Sequence, residues 1–274
     1  MQRIAVRRRV TRIDVGRGTR QVEDTLAAEE PLEIRVGGRP LAVTMRTPGH
    51  DVELAAGFLV SEGVVGSADD FAAARYCAGA TDEGLNTYNV LDVTLGHGVA
   101  APDPSLERNF WTTSSCGLCG KASIDSVRTR SRWSVADDDV LVPADLLATF
   151  PDRLRAHQDV FDKTGGLHAA GLFSEDGELL VLREDVGRHN AVDKVVGWAL
   201  TNADLPMRRT VLMVSGRASF ELVQKAVMAG IAVLAAVSAP SSLAAELAQE
   251  SGLTLVGFLR GSTMVVYSRP DRVV

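Results

Sequence analysis

Cysteine is scarce in this sequence. Among 274 residues there are three cysteines, Cys77, Cys116 and Cys119. Three thiols cannot build a disulfide framework in a chain of this length, since one of them always stays unpaired. The sequence therefore does not encode a disulfide scaffold, and a reducing cytosol is the expected setting.

Long apolar runs are also missing. The longest uncharged run, residues 226–245, is interrupted by Gly230, Pro240 and three serines. Only about a dozen of its residues are strongly apolar, too few to cross a bilayer, which takes about 20. The arginines near the N-terminus are not followed by the apolar region of a secretory signal. We expect a soluble, cytoplasmic protein with no membrane partner.

Positive charge is concentrated at one end of the chain. Residues 1–20 contain seven arginines and one acid and carry a charge of +6, so the rest of the chain carries −12. A general nucleic-acid binder needs a basic face on its folded body. We therefore expect a basic N-terminal tail, residues 1–20, and no nucleic-acid partner.

Hydrophobic spacing predicts two different halves. Residues 31–44 alternate around Gly37-Gly38 as a β-hairpin does, and residues 51–62 have helical spacing behind Asp51. After residue 170, short apolar strands alternate with amphipathic helices, a pattern typical of a three-layer α/β domain with a largely parallel sheet. We divide the chain into a small α+β domain (21–112), a cysteine-containing loop and helix (113–135) and an α/β domain (136–274).

The strongest local signal for chemistry is the segment CGLCGK, residues 116–121. Two thiols three positions apart can reach one another or share one metal ion, and a helix N-terminus with Lys121 would lower a thiol pKa and favour the nucleophilic thiolate. A structural zinc half-site is the alternative, but no second CxxC supplies the remaining ligands. Cys77 is expected to be a buried structural thiol.

Four loops in the second half are typical of anion binding because each combines glycine with a base or a hydroxyl group. They are residues 162–168 (DKTGGLH), 184–190 (EDVGRHN), 215–219 (SGRAS) and 258–263 (FLRGST). Each loop alone is weak evidence, since a glycine at a strand end is usually only a turn. Together, in one α/β domain, they predict a single site for a phosphate-bearing ligand.

Several side chains in these loops could have a purely structural role as readily as a role in ligand binding. His168 and His189 either contact a ligand or satisfy backbone groups. Asp185 and Asp193 could form a structural ion-pair network with Arg188 and Lys194. Neither a GxSxG nucleophile elbow nor a Walker A motif is present, so the sequence does not predict a serine hydrolase or a P-loop enzyme.

The blocks TSSCGLCGKASID (113–125), TGGLHAA (164–170), EDVGRHNAVDK (184–194), SGRASFELVQK (215–225) and APSSLAAELA followed by GLTLVGFLRG (239–261) resemble the formate dehydrogenase accessory sulfurtransferases, the FdhD family. The resemblance spans nearly the whole chain after the tail. It implies a cytidine-deaminase-like α/β architecture for the second half. Hydrolytic deamination is not implied, because His168 is followed by two alanines where deaminases carry H-x-E.

The resemblance also implies a function. A cysteine desulfurase would load sulfur onto Cys116 as a persulfide, and Cys119 would accept or relay it. The sulfur would then pass to molybdenum or tungsten in a bis(pterin guanine dinucleotide) cofactor, a bound substrate that guanosine diphosphate can mimic, which goes on to formate dehydrogenase. The residues expected to bind that cofactor are Arg188, His189, Gly216, Arg217, Phe258, Leu259, Arg260, Gly261, Ser262 and Thr263. The resemblance implies a homodimer. It does not imply a permanently bound metal ion.

Two other functions stay open at the level of sequence. The chain could be a non-catalytic chaperone that binds and delivers the cofactor to formate dehydrogenase. It could also be a dithiol redox protein, which the CxxC alone would suggest, although the motif does not lie at the βαβ start typical of thioredoxins.

Overall fold

A computed structural model describes residues 3–77, 88–102 and 131–274. Three sheets are formed: a two-stranded ribbon, a four-stranded sheet and a six-stranded sheet. The strands are β1 (Ala5–Asp14), β2 (Gly18–Ala27), β3 (Glu30–Val36), β4 (Arg39–Arg46), β5 (Phe71–Tyr76), β6 (Val90–Leu95), β7 (His168–Ser174), β8 (Leu179–Asp185), β9 (Thr210–Val214), β10 (Val233–Ala236), β11 (Thr254–Arg260) and β12 (Thr263–Ser268). The helices are α1 (Asp51–Ser61), α2 (Ala144–Ala148), α3 (Phe150–Ala156), α4 (Asp159–Thr164), α5 (Arg188–Asn202), α6 (Phe220–Met228) and α7 (Ser242–Ser251).

The basic N-terminus is not a plain tail. Strands β1 and β2 pair antiparallel over their whole length, from Ala5 opposite Ala27 to Asp14 opposite Gly18. The sequence did not predict this hairpin, because neither face of the ribbon is buried and its residues therefore do not alternate between apolar and polar. The expected boundary after residue 20 falls inside β2.

The four-stranded sheet has the order β4-β3-β6-β5. The predicted hairpin is confirmed: β3 and β4 are joined at Gly37 and Gly38, which both have positive φ, 57° and 80°. Glycine tolerates this left-handed backbone, which two-residue hairpin turns need. Leu32, Ile34 and Leu91 are fully buried and hold this sheet in the core.

The six-stranded sheet has the order β12-β11-β10-β9-β7-β8. Strands β9, β10 and β11 run parallel to one another, whereas β7 is antiparallel to β8 and β9, and β12 is antiparallel to β11. The expectation of a largely parallel sheet is therefore wrong, and the sheet is mixed. The hairpins β7–β8 and β11–β12 cause the difference, since a short turn can join only antiparallel strands.

Helices α5, α6 and α7 contact one another in series, and α5 and α7 pack on strands of the six-stranded sheet. The β9-α6-β10 and β10-α7-β11 crossovers share one hand and run in the same direction, which places both helices on the same face. Helix α3 contacts the sheet through Phe150, whose ring stacks on Phe173 of β7 with the centroids 4.2 Å apart. No helix of the described residues is long and apolar enough to cross a membrane.

The two halves of the chain meet where α1 crosses α5. A Cβ added to Gly57 would lie 1.8 Å from the carbonyl oxygen of Asp193, and one added to Gly197 would lie 1.8 Å from that of Glu53. Each helix therefore has a glycine where the other helix's backbone approaches. One hydrophobic cluster runs across this contact, including Leu54 of α1 and Val196 of α5. The domain limits given by the sequence stay a prediction.

A partly buried ion pair also joins the two halves, between Glu53 of α1 and Arg183 of β8. The Arg183 guanidinium donates to both carboxylate oxygens of Glu53, at 2.5 and 2.7 Å, and His50 Nδ1 lies 3.3 Å from Glu53 Oε2. Burial raises the pKa of Glu53, but Arg183 and His50 outweigh burial and lower that pKa from 4.5 to about 2. The ionised carboxylate therefore stabilises the folded chain above pH 4.5.

Substituting Gly57→Ala is expected to destabilise the protein by about 2–4 kcal/mol, because the new methyl group meets backbone that cannot yield. Gly166→Ala is the matched control, since its nearest neighbour would be Ala27 Cβ at 3.7 Å and its φ is ordinary. Urea unfolding of both variants checks this. Equal midpoints for the two would contradict the close helix contact.

Glu53→Gln is expected to lower the free energy of unfolding by about 1–2 kcal/mol at pH 6, because a charge-assisted pair is lost at a site with limited exposure. A carboxylate with a depressed pKa loses its stabilising effect as pH falls, here from 4.5 toward 2. The wild type and the variant should thus converge on acidification. Urea titrations at several pH values measure this, with the exposed Glu178→Gln as control; a difference that does not change with pH would refute it.

Candidate functional site

One edge of the six-stranded sheet gathers the loops predicted to bind a ligand. Strands β9, β10 and β11 are parallel and end there, and the antiparallel β7 begins there, with His168 opposite Asp185 at the end of β8. Helices α5, α6 and α7 also begin at this edge. Helix N-termini favour anions because their backbone N–H groups and dipoles point outward. All four loops lie along about 19 Å of sheet edge, four strand spacings wide.

The start of β7 is hydrogen-bonded to the loop after β9. The Ala169 amide donates to Ser215 Oγ at 2.9 Å, and the Ser215 amide donates to the Ala169 carbonyl at 3.0 Å. A Cβ added to Gly216 would lie 3.4 Å from His168 Nδ1 and 3.7 Å from Cδ of Arg188. The structure thus brings together His168, Arg188 and Gly216, which come from three of the predicted loops.

His168 is a half-buried base beside positive charge. Burial lowers the pKa of His168 below 6.5, Arg188 and His189 lower it further, and Asp185 opposes them. The imidazole is therefore neutral at pH 7, and it offers a hydrogen-bond donor or acceptor without charge. The positive charge at this point comes from Arg188, and Arg217 is exposed on the adjacent loop.

His189 is held by other side chains. Its Nε2 lies 2.9 Å from Glu221 Oε2 and 3.2 Å from Ser219 Oγ, both at the start of α6. A serine nucleophile would need the carboxylate on the other ring nitrogen of the histidine. The cluster is therefore not a catalytic triad, and the structural interpretation of His189 gains support; its expected contact with a ligand stays a prediction.

Residues 258–263 form the end of β11, a turn and the first residue of β12. The backbone of Phe258 has a φ of +50°, and its side chain is 41% exposed. A left-handed non-glycine residue costs on the order of 1 kcal/mol, and such residues cluster at functional sites. Here the Phe258 amide bonds to the Ser238 carbonyl, and the register slips between Gly257 and Arg260. The strained bulge leaves an aromatic ring at the sheet edge.

The loop after β10, residues 237–241, connects the other loops, and sequence reasoning did not assign it to the site. The Ser241 amide donates to the Ala218 carbonyl at 3.0 Å, and Arg260 Nε donates to the Val237 carbonyl at 3.0 Å. The loop thus ties 215–219 to 258–263. Leu259 is buried, while Arg260, Gly261, Ser262 and Thr263 are exposed at the hairpin turn.

Buried ion pairs fix the 184–190 loop and helix α5, which begins within it. Lys194 Nζ lies 2.7 Å from Asp185 Oδ2, and the other oxygen of Asp185 accepts from the Gly187 amide at 2.8 Å. Lys225 Nζ lies 2.7 and 2.8 Å from the two oxygens of Asp193. The expected pairing of Asp185 with Lys194 is confirmed, but the base that pairs with Asp193 is Lys225. The sequence did not indicate Lys225, because α6 is not adjacent to α5 in sequence.

Asn190 and Thr47 extend this network into the first half of the chain. Asn190 Nδ2 donates to the Met45 carbonyl at 2.7 Å, and the Thr47 amide donates to Asp185 Oδ2 at 3.1 Å. Lys194 Nζ also donates to the Thr47 carbonyl at 2.9 Å. The loop that carries Arg188 and His189 is therefore fixed by the segment after β4.

The cysteines predicted to be reactive, Cys116 and Cys119, lie outside the described residues. Cys77 follows β5, is half-buried, and donates its amide to the Val90 carbonyl at 2.9 Å. The expectation of full burial for Cys77 is wrong, because the end of β5 lies near the margin of its sheet.

Comparison with known proteins gives consistent results. The sequence profile of the FdhD/NarQ family matches residues 27–274. The chain is 68% identical to "Sulfur carrier protein FdhD" of Streptomyces coelicolor, covering 100% of this chain and 97% of the relative. It is 61% identical to the protein of the same name from Mycolicibacterium paratuberculosis, covering 98% and 99%.

A crystal structure from Desulfotalea psychrophila, described as a formate dehydrogenase accessory protein, superimposes with a TM-score of 0.77. It covers 99% of this chain and 100% of that one at 24% identity, so this match is evidence of a shared fold alone. The family profile and the full-length relatives carry the assignment: the chain belongs to the FdhD/NarQ family.

Proposed function

We propose that this protein is a sulfurtransferase that carries sulfur as a persulfide on Cys116. The donor is a cysteine desulfurase, and the acceptor is the molybdenum or tungsten of a bis(pterin guanine dinucleotide) cofactor, which formate dehydrogenase requires. The observation that carries the proposal is the 68% identity over the full chain to a protein named as a sulfur carrier, together with the CGLCGK segment.

The loading step is a thiol exchange. The Cys116 thiolate attacks the outer sulfur of the donor's persulfide, a new S–S bond forms on Cys116, and the donor's S–S bond breaks. The donor cysteine leaves as a thiolate with the electron pair, so no external oxidant or reductant is needed. Cys119, three residues away, accepts or relays the sulfur.

The cofactor is the substrate, and the sheet edge is its proposed binding site. Arg188 and Arg217 would face the phosphates together with the N-termini of α5 and α6, as anions favour such positions. Phe258 and Arg260 would contact the same ligand from the β11–β12 turn. The neutral His168 suits a hydrogen bond to an uncharged ring better than a charge contact.

The family resemblance also supports proposals about fold relationship, location and oligomeric state. The cytidine-deaminase-like relationship of residues 136–274, the cytoplasmic location and a homodimer are proposed from the family resemblance. Contact with the catalytic subunit of formate dehydrogenase follows from delivery of the cofactor.

Incubation with a cysteine desulfurase and free cysteine is expected to add the mass of sulfur to the wild-type protein. Cys116→Ala should lose that addition, because its thiolate is the proposed acceptor, and Cys77→Ala should keep it as the matched control. Intact-protein mass spectrometry measures the load. An unchanged load in both Cys116→Ala and Cys119→Ala would overturn the persulfide assignment.

A delivery chaperone without sulfur chemistry is the second candidate. It is favoured by one observation: the sheet-edge loops are bonded into a site that contains no cysteine among their own residues. Complementation of a strain lacking the protein separates the two functions. An active formate dehydrogenase in the presence of the Cys116→Ala, Cys119→Ala double variant would establish delivery alone.

Guanosine diphosphate is expected to raise the melting temperature, because it should bind the native state only. At about 100 times its Kd the gain is about 2.7 kcal/mol, or roughly 5–10 °C for a chain of this size. Arg217→Ala should reduce the shift, and Arg208→Ala, just before the opposite end of β9, should retain it. Differential scanning fluorimetry is the measurement. No shift at millimolar nucleotide in the wild type would contradict a nucleotide site at this edge.

A further inference from the structure

The β1–β2 ribbon, residues 5–27, is here called the arginine arm. Among the residues that the structure describes, its two strands pair with each other and with no other strand. At its base, a Cβ added to Gly166 would lie 3.7 Å from Ala27 Cβ, and one added to Gly49 would lie 3.9 Å from Ile4 Cγ2. Beyond this base and the contact of β2 with α4, most side chains of the arm are exposed. The arm thus projects from the body of the protein, residues 28–274.

The arm and the body have opposite charge. Residues 5–27 contain six arginines and three acids, a net charge of +3, whereas residues 28–274, the body, carry −10. Among the described residues, the ion pair within the arm is Arg20 with Asp14, at 3.6 Å. The guanidinium groups of Arg7, Arg8, Arg9 and Arg12 are exposed. The arm therefore presents a strongly positive surface on an acidic protein.

Two features make the free arm an incomplete structure. Arg12 lies directly opposite Arg20 across the strands, where like charges are destabilising. Ile13 is 69% exposed and Val15, in the turn, is 98% exposed. An isolated two-stranded hairpin is marginally stable in water. A surface that supplies negative charge and covers the apolar tip would correct both defects.

We propose that the arginine arm docks on the acidic body of a second copy of this chain. The body has the opposite net charge, −10 over residues 28–274, and β1, with ten residues at ~3.4 Å each, reaches about 34 Å. Reciprocal exchange of two arms gives a closed two-fold dimer, the commonest symmetry of homo-oligomers. This proposal supplies an interface for the proposed homodimer and is independent of the sulfur chemistry.

The arm lies almost entirely outside the part of the chain that the family profile matches. The FdhD/NarQ profile begins at residue 27, where β2 ends, whereas the Streptomyces coelicolor relative matches the whole chain, arm included. Docking through the arm is therefore a property to test on this chain rather than one carried by the profile.

Sedimentation velocity of the full chain tests the interface, with Arg12→Glu as the variant. This change creates an opposite-charge pair with Arg20, so the hairpin should keep its structure while the arm loses two units of positive charge. We expect the wild type to be dimeric with a Kd that rises with salt, and Arg12→Glu to weaken the dimer by about tenfold or more. Arg208→Glu, which changes the net charge equally at an exposed body position, should leave the Kd unchanged.

A monomeric wild type at high protein concentration and low salt would overturn the proposal, as would a dimer whose Kd is the same in Arg12→Glu and Arg208→Glu. A photo-crosslinking amino acid at Val15 gives a second readout. Products of twice the chain mass, with crosslinks to acidic peptides of residues 28–274, are expected. Crosslinks within a single chain only would refute arm exchange. Sulfur loading, measured on the same samples, reports separately on the proposed function.

Discussion

The burial of Asp185 and Asp193 is the constraint on which the rest of the site depends. Both carboxylates are almost completely removed from water, and an uncompensated buried charge costs several kcal/mol. Burial raises the pKa of Asp193, while Lys225 and Ser61 act against that rise. Lys194 and Lys225 each serve one carboxylate. The two pairs tie α5 to α6 and to the segment after β4, and they fix the direction in which Arg188 and His189 leave the turn.

Much of the second half could be predicted from sequence because local patterns there match what tertiary structure requires. Thr210–Val214 is buried on both faces and reads as a continuous apolar strand, and Ser242–Ser251 ends at Gly252, whose φ is +72°. The direction of the strands, in contrast, could not be predicted from local patterns. Nothing in the composition of β7 states that it runs antiparallel to β9, so the mixed sheet emerges only from the topology.

The arm and the site mark the limits of sequence reasoning in two ways. In β1 the exposed arginines remove the hydrophobic alternation that would identify a strand. In the site, glycines next to bases or hydroxyl groups indicated four loops, which lie at one sheet edge in the structure. That composition could not show that residues 237–241 bridge the loops or that Glu221 holds His189. Those contacts join residues 20 or more positions apart, and a local pattern contains no information about them.

The glycine contact between α1 and α5 determines how the molecule can move. Backbone against backbone at Gly57 and Gly197 leaves no flexible side chains between the helices, and packed interfaces of this kind do not deform gradually. The contact therefore holds the two halves of the described chain together where α1 crosses α5, and any displacement of one helix along the other would have to separate the two backbones first. Thr47, just before α1, bonds to both Asp185 and Lys194, so such a displacement would also disturb the loop that carries Arg188 and His189.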